Sequence, residues 1–264
     1  KHDVIANVTY DKAKNYAFRV NPATGEKRSS SVERETVRTY VQDKIHLTDK
    51  WDLTPSLRYS HYSDYKESTG GNSAGNTNDF NYSLNTEYMF NDKVGMYLGW
   101  TKVFRPLRQG DYTTTDYVFN APLKDEEGNV YTFGIHYDIS DRTTVALHYD
   151  WTKMKNAIAT LPVLDPNSGD FLSTPINAKE DKQSINLTLD HQLNKHVTLS
   201  ASYSHMKDKW KSKDGWTLGP ESGWDPDDIN TGINHLRPQN HYALNVSYEN
   251  ARFYTGLLLN YYTG

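Results

Sequence analysis

Runs of about ten residues in which every second side chain is aliphatic or aromatic recur along this chain, and tight charged turns alternate with long polar stretches between them. The tight turns are Thr48-Asp49-Lys50, Asn91-Asp92-Lys93, Ser140-Asp141-Arg142, Asn194-Lys195-His196 and Glu249-Asn250-Ala251. Each joins two alternating runs, so each is read as an antiparallel hairpin with one apolar face. The long connections all fall at the other end. Short turns at one end, long loops at the other and strands of about ten residues predict an all-β, transmembrane antiparallel β-barrel rather than a soluble sandwich. A soluble sheet with one solvated face has the same period, but its strands commonly run about 5–6 residues.

Eleven strands are predicted, near residues 3–10, 36–48, 51–62, 80–90, 93–104, 130–139, 143–155, 183–193, 196–207, 240–249 and 252–263. In the third, Leu53, Leu57 and Tyr59 alternate with Asp52, Thr54, Ser56 and Arg58, which sends the first set toward lipid and the second toward a lumen. Trp51, Phe90, Tyr137, Tyr248 and Phe253 lie beside the short turns, whereas Trp100, Trp151, Tyr203 and Tyr261 lie toward the long loops. Two interfacial belts are therefore expected. The second strand fits less well, because Asp43 shares the phase of Val41 and Ile45; a bulge or a headgroup-level position would account for it.

Composition agrees once a barrel is allowed. A mean hydropathy of −0.81 and the lack of any 18-residue apolar run exclude a helical membrane protein, while a barrel keeps its lumen and loops polar. There is no cysteine, so neither disulfides nor thiol ligands are available, and a formal net charge of −4 gives no reason to expect nucleic acid. The histidines are scattered without a metal-binding spacing, and no Gly-x-Ser-x-Gly elbow is present. Neither an enzyme nor a bound cofactor or metal is expected. An odd strand count would leave unpaired edges in lipid, where each unsatisfied backbone group costs several kcal/mol, and bacterial single-chain barrels have even counts. The chain is therefore expected to form an open half-barrel, an internal segment of a larger barrel.

The order of several local phrases resembles that of the TonB-dependent outer-membrane receptors. Val41-Gln42-Asp43-Lys44-Ile45 leading through Leu47-Thr48-Asp49-Lys50-Trp51 to Leu57-Arg58-Tyr59 is one such phrase. Lys102-Val103-Phe104-Arg105-Pro106 resembles the family's Phe-Arg-Pro box, and Leu123-Lys124 through Glu127-Gly128, Tyr131 and Gly134-Ile135 resembles its Leu-Lys-Pro-Glu phrase, with Asp125 where Pro is usual. Tyr149 through Asn156 with Ile158, and Leu199 through Ser204, continue the series. The resemblance implies that residues 1–264 are one partial β-barrel domain, about eleven strands of a 22-stranded plugged barrel, lacking the plug and the final strands. It implies a bacterial outer-membrane location, contact with outer-membrane lipid, and a TonB complex acting through the missing plug. The function implied is active import of a ferric siderophore or related iron chelate. Haem or cobalamin uptake is the alternative within the family; a passive porin or an outer-membrane enzyme is the alternative outside it.

Two loops supply the candidate ligand-binding residues. Arg105 and Arg108 with Tyr112 and Tyr117 combine guanidinium donors and aromatic faces, which suit an anionic ferric chelate. The plainer alternative is that Arg105 pins the loop and the tyrosines belong to the belt. Residues 107–119 contain no His, and Asn120-Ala121-Pro122-Leu123 stands where haem receptors carry Asn-Pro-Asn-Leu, which disfavours haem. Trp210, Trp216 and Trp224, in a loop read as residues 208–238, offer stacking surfaces for aromatic or sugar rings or else pack the loop itself. Asp225, Asp227 and Asp228 lack full EF-hand spacing and are read as a solvated acidic turn rather than a calcium site.

Overall fold

A computed structural model describes the chain except residues 68–74, 108–122, 165–170, 213–237 and 264; the side chains of 17, 19, 159–176, 211 and 212 are also left undescribed. The described elements are β1 (His2–Val20), β2 (Lys27–Thr48), β3 (Trp51–Tyr62), β4 (Lys66–Glu67), β5 (Thr77–Asn91), β6 (Val94–Arg105), β7 (Glu126–Ser140), β8 (Thr143–Leu164), β9 (Phe171–Asn194), β10 (Val197–Ser212), β11 (Asn240–Glu249) and β12 (Tyr254–Thr263). Eleven of them form one antiparallel sheet in which each strand pairs with its neighbours in sequence, and two-residue β4 adds to β2 off this path. Such a meander is what consecutive short hairpins dictate. Among the described residues, no pairing joins β1 to β12.

The tight turns share one device. Thr48 Oγ1, Asn91 Oδ1, Ser140 Oγ, Asn194 Oδ1 and Asn250 Oδ1 each accept the backbone N–H two residues on, at 2.8–3.3 Å. The three asparagines also take the next N–H at 2.9–3.1 Å. A short polar side chain thus replaces the ladder bonds lost where the chain reverses. Asn250 places the fifth turn one residue later than expected, and β12 begins at Tyr254.

The sheet has the predicted two faces. Leu57, Tyr82, Leu84, Leu98, Trp100, Tyr131, Leu187 and Leu244 stand exposed on the apolar face. Register aligns the belt toward the loops: Trp100 faces Tyr131, which faces Trp151, and Tyr203 faces Tyr242, which faces Tyr261. Asp43 stays on the apolar face, and the only register shift between β2 and β3 lies at His46/Thr48, so no bulge turns it away. His2 Nδ1 lies 2.7 Å from its Oδ2. On the polar face of β6–β8, Tyr97 crosses Gly134 and its hydroxyl bonds His148 Nδ1; His148 Nε2 is 2.6 Å from Asp150. A Cβ at Gly134 would land on the Tyr97 ring.

Two segments read as loops are strands. β1 and β2 continue to Val20 and Lys27, and β8 and β9 continue to Leu164 and Phe171, forming long hairpins. In the first, the apolar phase Val4, Ala6, Val8, Tyr10 gives way to Lys12 and Lys14, opposite Glu35 and Glu33. Charged cross-strand pairs replace the greasy stripe, so pairing persists while the pattern used to recognise a membrane strand stops. The hairpin closes at Asn21–Glu26, where Gly25 at φ +68° supplies the left-handed residue.

Candidate ligand-binding site at the loop end

The polar face of β1–β3 and the end of β6 enclose a cavity of about 430 Å³ at the loop end of the sheet. Its cations are Arg34, Arg38 and Arg105, and its rings are Tyr62, Tyr65 and Phe104. The alternation of β2 puts Arg34 and Arg38 on the polar face, and both lie beyond the stretch recognised as strand or among its first residues.

Arg34 is the keystone. Only 7% exposed, its guanidinium donates to the carbonyls of Ser63 and Leu107, at 3.0 Å each, and of Gly75 at 3.5 Å. It lies over the Tyr65 ring at 4.4 Å and near Tyr62 at 5.1 Å. Among the described residues no carboxylate pairs with it, so its charge is held by carbonyl dipoles and aromatic faces. Arg38 is paired with Asp11 at 2.8 Å.

Arg105 ends β6 and is bonded to Glu126, whose other oxygen accepts the Ile158 N–H at 2.6 Å. The neighbouring Asp125 accepts the Leu107 N–H and the Thr77 hydroxyl, each at 2.8 Å. Asn177 bonds both backbone groups of Lys124, at 2.7 and 3.0 Å. Residues 124–126 therefore latch β5, β6, β8 and β9 together, Asp125 doing so through its side chain.

Of the residues predicted from sequence, Arg105 lines the cavity. Trp210 instead lies on β10, opposite Glu180 and 7% exposed, rather than in a loop. Arg108, Tyr112, Tyr117, Trp216 and Trp224 lie outside the described residues, as do Asp225, Asp227 and Asp228. Sequence reasoning missed Arg34, Arg38, Tyr62 and Tyr65. The only signal was their place on or next to strands extended past the apolar stripe. Among the described residues, no cluster of His, Asp and Glu is arranged to hold a metal.

The whole chain, residues 1–264, matches the model of the TonB dependent receptor-like, beta-barrel family. The chain belongs to that family. A curated relative, described as an uncharacterized TonB-dependent receptor of Haemophilus influenzae, is 24% identical over 181 residues, covering 66% of this chain and 49% of the relative. Among solved structures, the siderophore receptor PiuA of Acinetobacter baumannii superposes with a TM-score of 0.67 at 13% identity, over 98% of this chain and 43% of that one. The copper transporter OprC superposes with a TM-score of 0.71 at 12% identity, over 98% and 42%. At these identities the superpositions speak for the fold alone, and the chain spans less than half of these relatives. TonB-dependent receptors are outer-membrane transporters and not enzymes, in agreement with the expected absence of catalysis.

Proposed function

We propose that this chain forms part of the barrel wall of an active importer for an anionic iron chelate of the ferric-siderophore class. The energy for import would come from a TonB complex acting through a plug domain. The observation that carries the ligand class is the loop-end cavity, where three arginines meet two tyrosines and Arg34 has no carboxylate partner among the described residues. Guanidinium and phenol donors beside aromatic faces suit a negatively charged, ring-bearing chelate. PiuA, whose fold the chain shares, is a siderophore receptor by name. Arg105, Arg108, Tyr112, Tyr117, Trp210, Trp216 and Trp224 remain the proposed contacts.

The test is ligand binding by the complete receptor. Replacing Arg105 and Arg108 with Ala is expected to weaken an anionic ferric chelate more than a neutral one, each lost charge-assisted donor counting about 1.5–3 kcal/mol if desolvated. Because Glu126 already shares the charge of Arg105, its part should fall at the lower end. Equal binding of both chelates by wild type and double variant would remove these residues from the site.

A further inference from the structure

Between β5 and β6 the ladder stops early. Pairing ends at Ser83–Thr101, although β5 starts at Thr77 and β6 runs to Arg105. Lys102 spans the gap, its Nζ donating to the Phe80 carbonyl at 2.8 Å and to Asp79 at 3.1 Å. Below the gap, on the polar face, lies a second cavity of about 340 Å³, lined by Tyr40, Ser56, Arg58, Asn81, Ser83 and Thr101 among others.

Two of its polar side chains, Arg58 and Asn81, carry buried atoms without a hydrogen-bond partner. Tyr40, Arg58 and Asn81 occupy one cross-strand row, Tyr40 facing Arg58 and Arg58 facing Asn81. Asn81 is 6% exposed, yet neither its Oδ1 nor its Nδ2 has a hydrogen-bond partner. The Arg58 Nε is equally shut from solvent and unpartnered, and among the described residues no carboxylate pairs with the guanidinium. Buried polar groups are ordinarily paired, and a half-buried guanidinium without a counter-charge is costly. The other nearby charges, Lys102 and Asp79, neutralise each other.

We propose that the Arg58–Asn81 cavity is a binding site for a hydroxycarboxylate. Arg58 and the Asn81 amide nitrogen need acceptors, which a carboxylate supplies; the Asn81 oxygen needs a donor, which an adjacent hydroxyl supplies. The site stands on its own geometry, apart from the uptake reading. It is a rung below the loop-end arginines, since Arg38 faces Ser60, the next polar-face position after Arg58.

Citrate is the probe, titrated calorimetrically into the complete receptor. The titrations use the Arg105→Ala background, so that the loop-end cavity contributes less. Citrate is expected to bind in that background, and Arg58→Gln is expected to weaken it roughly ten- to hundredfold. Asn81→Asp keeps the side-chain volume and offers Arg58 an internal counter-charge, so it should abolish citrate binding while leaving the barrel folded by heat-modifiability. Arg58→Lys, which retains the charge, should keep part of the affinity. Absence of citrate binding in the Arg105→Ala protein overturns the proposal, as when a carboxylate of the receptor itself fills the cavity. Unchanged affinity in both Arg58→Gln and Asn81→Asp overturns it too. Neither result bears on the uptake reading, which is judged by the ferric-chelate comparison above.

Discussion

Arg34 shows how one buried side chain organises several segments. Its three carbonyl acceptors come from Ser63, Gly75 and Leu107, far apart in sequence, and the aromatic faces of Tyr62 and Tyr65 cover the guanidinium. Arg34→Met keeps the length and removes every donor, leaving carbonyls unsatisfied at about 1–3 kcal/mol each where they stay buried. Amide hydrogen exchange should rise at residues 63–65 and 107 and remain unchanged at the tight turns. Uniform protection across the loop end in the variant would remove Arg34 as the organiser. Gly134 is a second single-residue determinant, since the Tyr97 ring occupies the space a Cβ needs. Gly134→Ala should destabilise the barrel by about 1–3 kcal/mol through overpacking, and Tyr97→Ala in the same protein should relieve most of that increment. The double variant unfolding in urea no later than Gly134→Ala would contradict this.

At the scale of elements, β1 and β2 mark where the apolar band stops. Along β2 the apolar face carries Ile45, Val41 and Val37, then Glu35 and Glu33. Val41→Arg, near the middle of that band, should therefore cost about 2–4 kcal/mol in a bilayer, and Val37→Arg, at its border, about 0–1 kcal/mol. Equal costs in lipid refolding titrations would argue against a membrane-embedded band ending at Val37. Beyond the border, Lys12 holds Glu33 at 2.8 Å and Glu35 at 3.2 Å. The bond from Lys12 draws the Glu33 carboxyl below the usual carboxylate range, and the Glu33 bond first, then Glu35, raises Lys12 above the usual lysine range. For Glu33, with its folded value depressed, the added stability is present above the unfolded carboxylate range and is lost as pH falls through the depressed value. For Lys12, raised in the fold, it is present below the ordinary lysine range and is lost as pH rises through the raised value. Hairpin protection at residues 11–35 should thus be flat around neutrality and fall only in acid or strong alkali. The groups are exposed, so the change should be small and salt-sensitive; Lys12→Gln should remove it, and an unaltered acid limb in that variant would assign the effect elsewhere.

For the whole molecule, the sheet runs from β1 to β12 with an unpaired edge at each end among the described residues. Val4, Val8 and Tyr10 near one edge and Leu257, Leu259 and Tyr261 at the other are exposed, and neither strand carries proline along its length. Residues 1–264 expressed alone should accordingly aggregate or fail to give a heat-modifiable barrel, whereas co-folding with the strands of a complete receptor should rescue them. A monodisperse, heat-modifiable monomer of residues 1–264 would refute this. How much of this was legible beforehand follows from what alternation encodes. The sequence alone determined the succession of paired strands, the tight turns (the fifth to within one residue), the two faces and the aromatic row toward the loops, because a period of two and a short polar turn residue act within a few residues of one another. The Arg105 end of β6 was legible as well, through a local phrase. The long hairpin past Tyr10 was not, because cross-strand charge pairs hold it and such pairs have no period to read; nor was the pairing past Asn156, which runs from Ala157 opposite Ala178 to Leu164 opposite Phe171. Nor was either cavity. Arg34 meets Leu107 only where the chain has left β6, Arg58 meets Asn81 through the β3–β5 register, and the space beside them opens because β6 leaves β5 at Ser83. That departure rests on Lys102 and the latch at residues 124–126, contacts between distant segments that only the assembled sheet brings together.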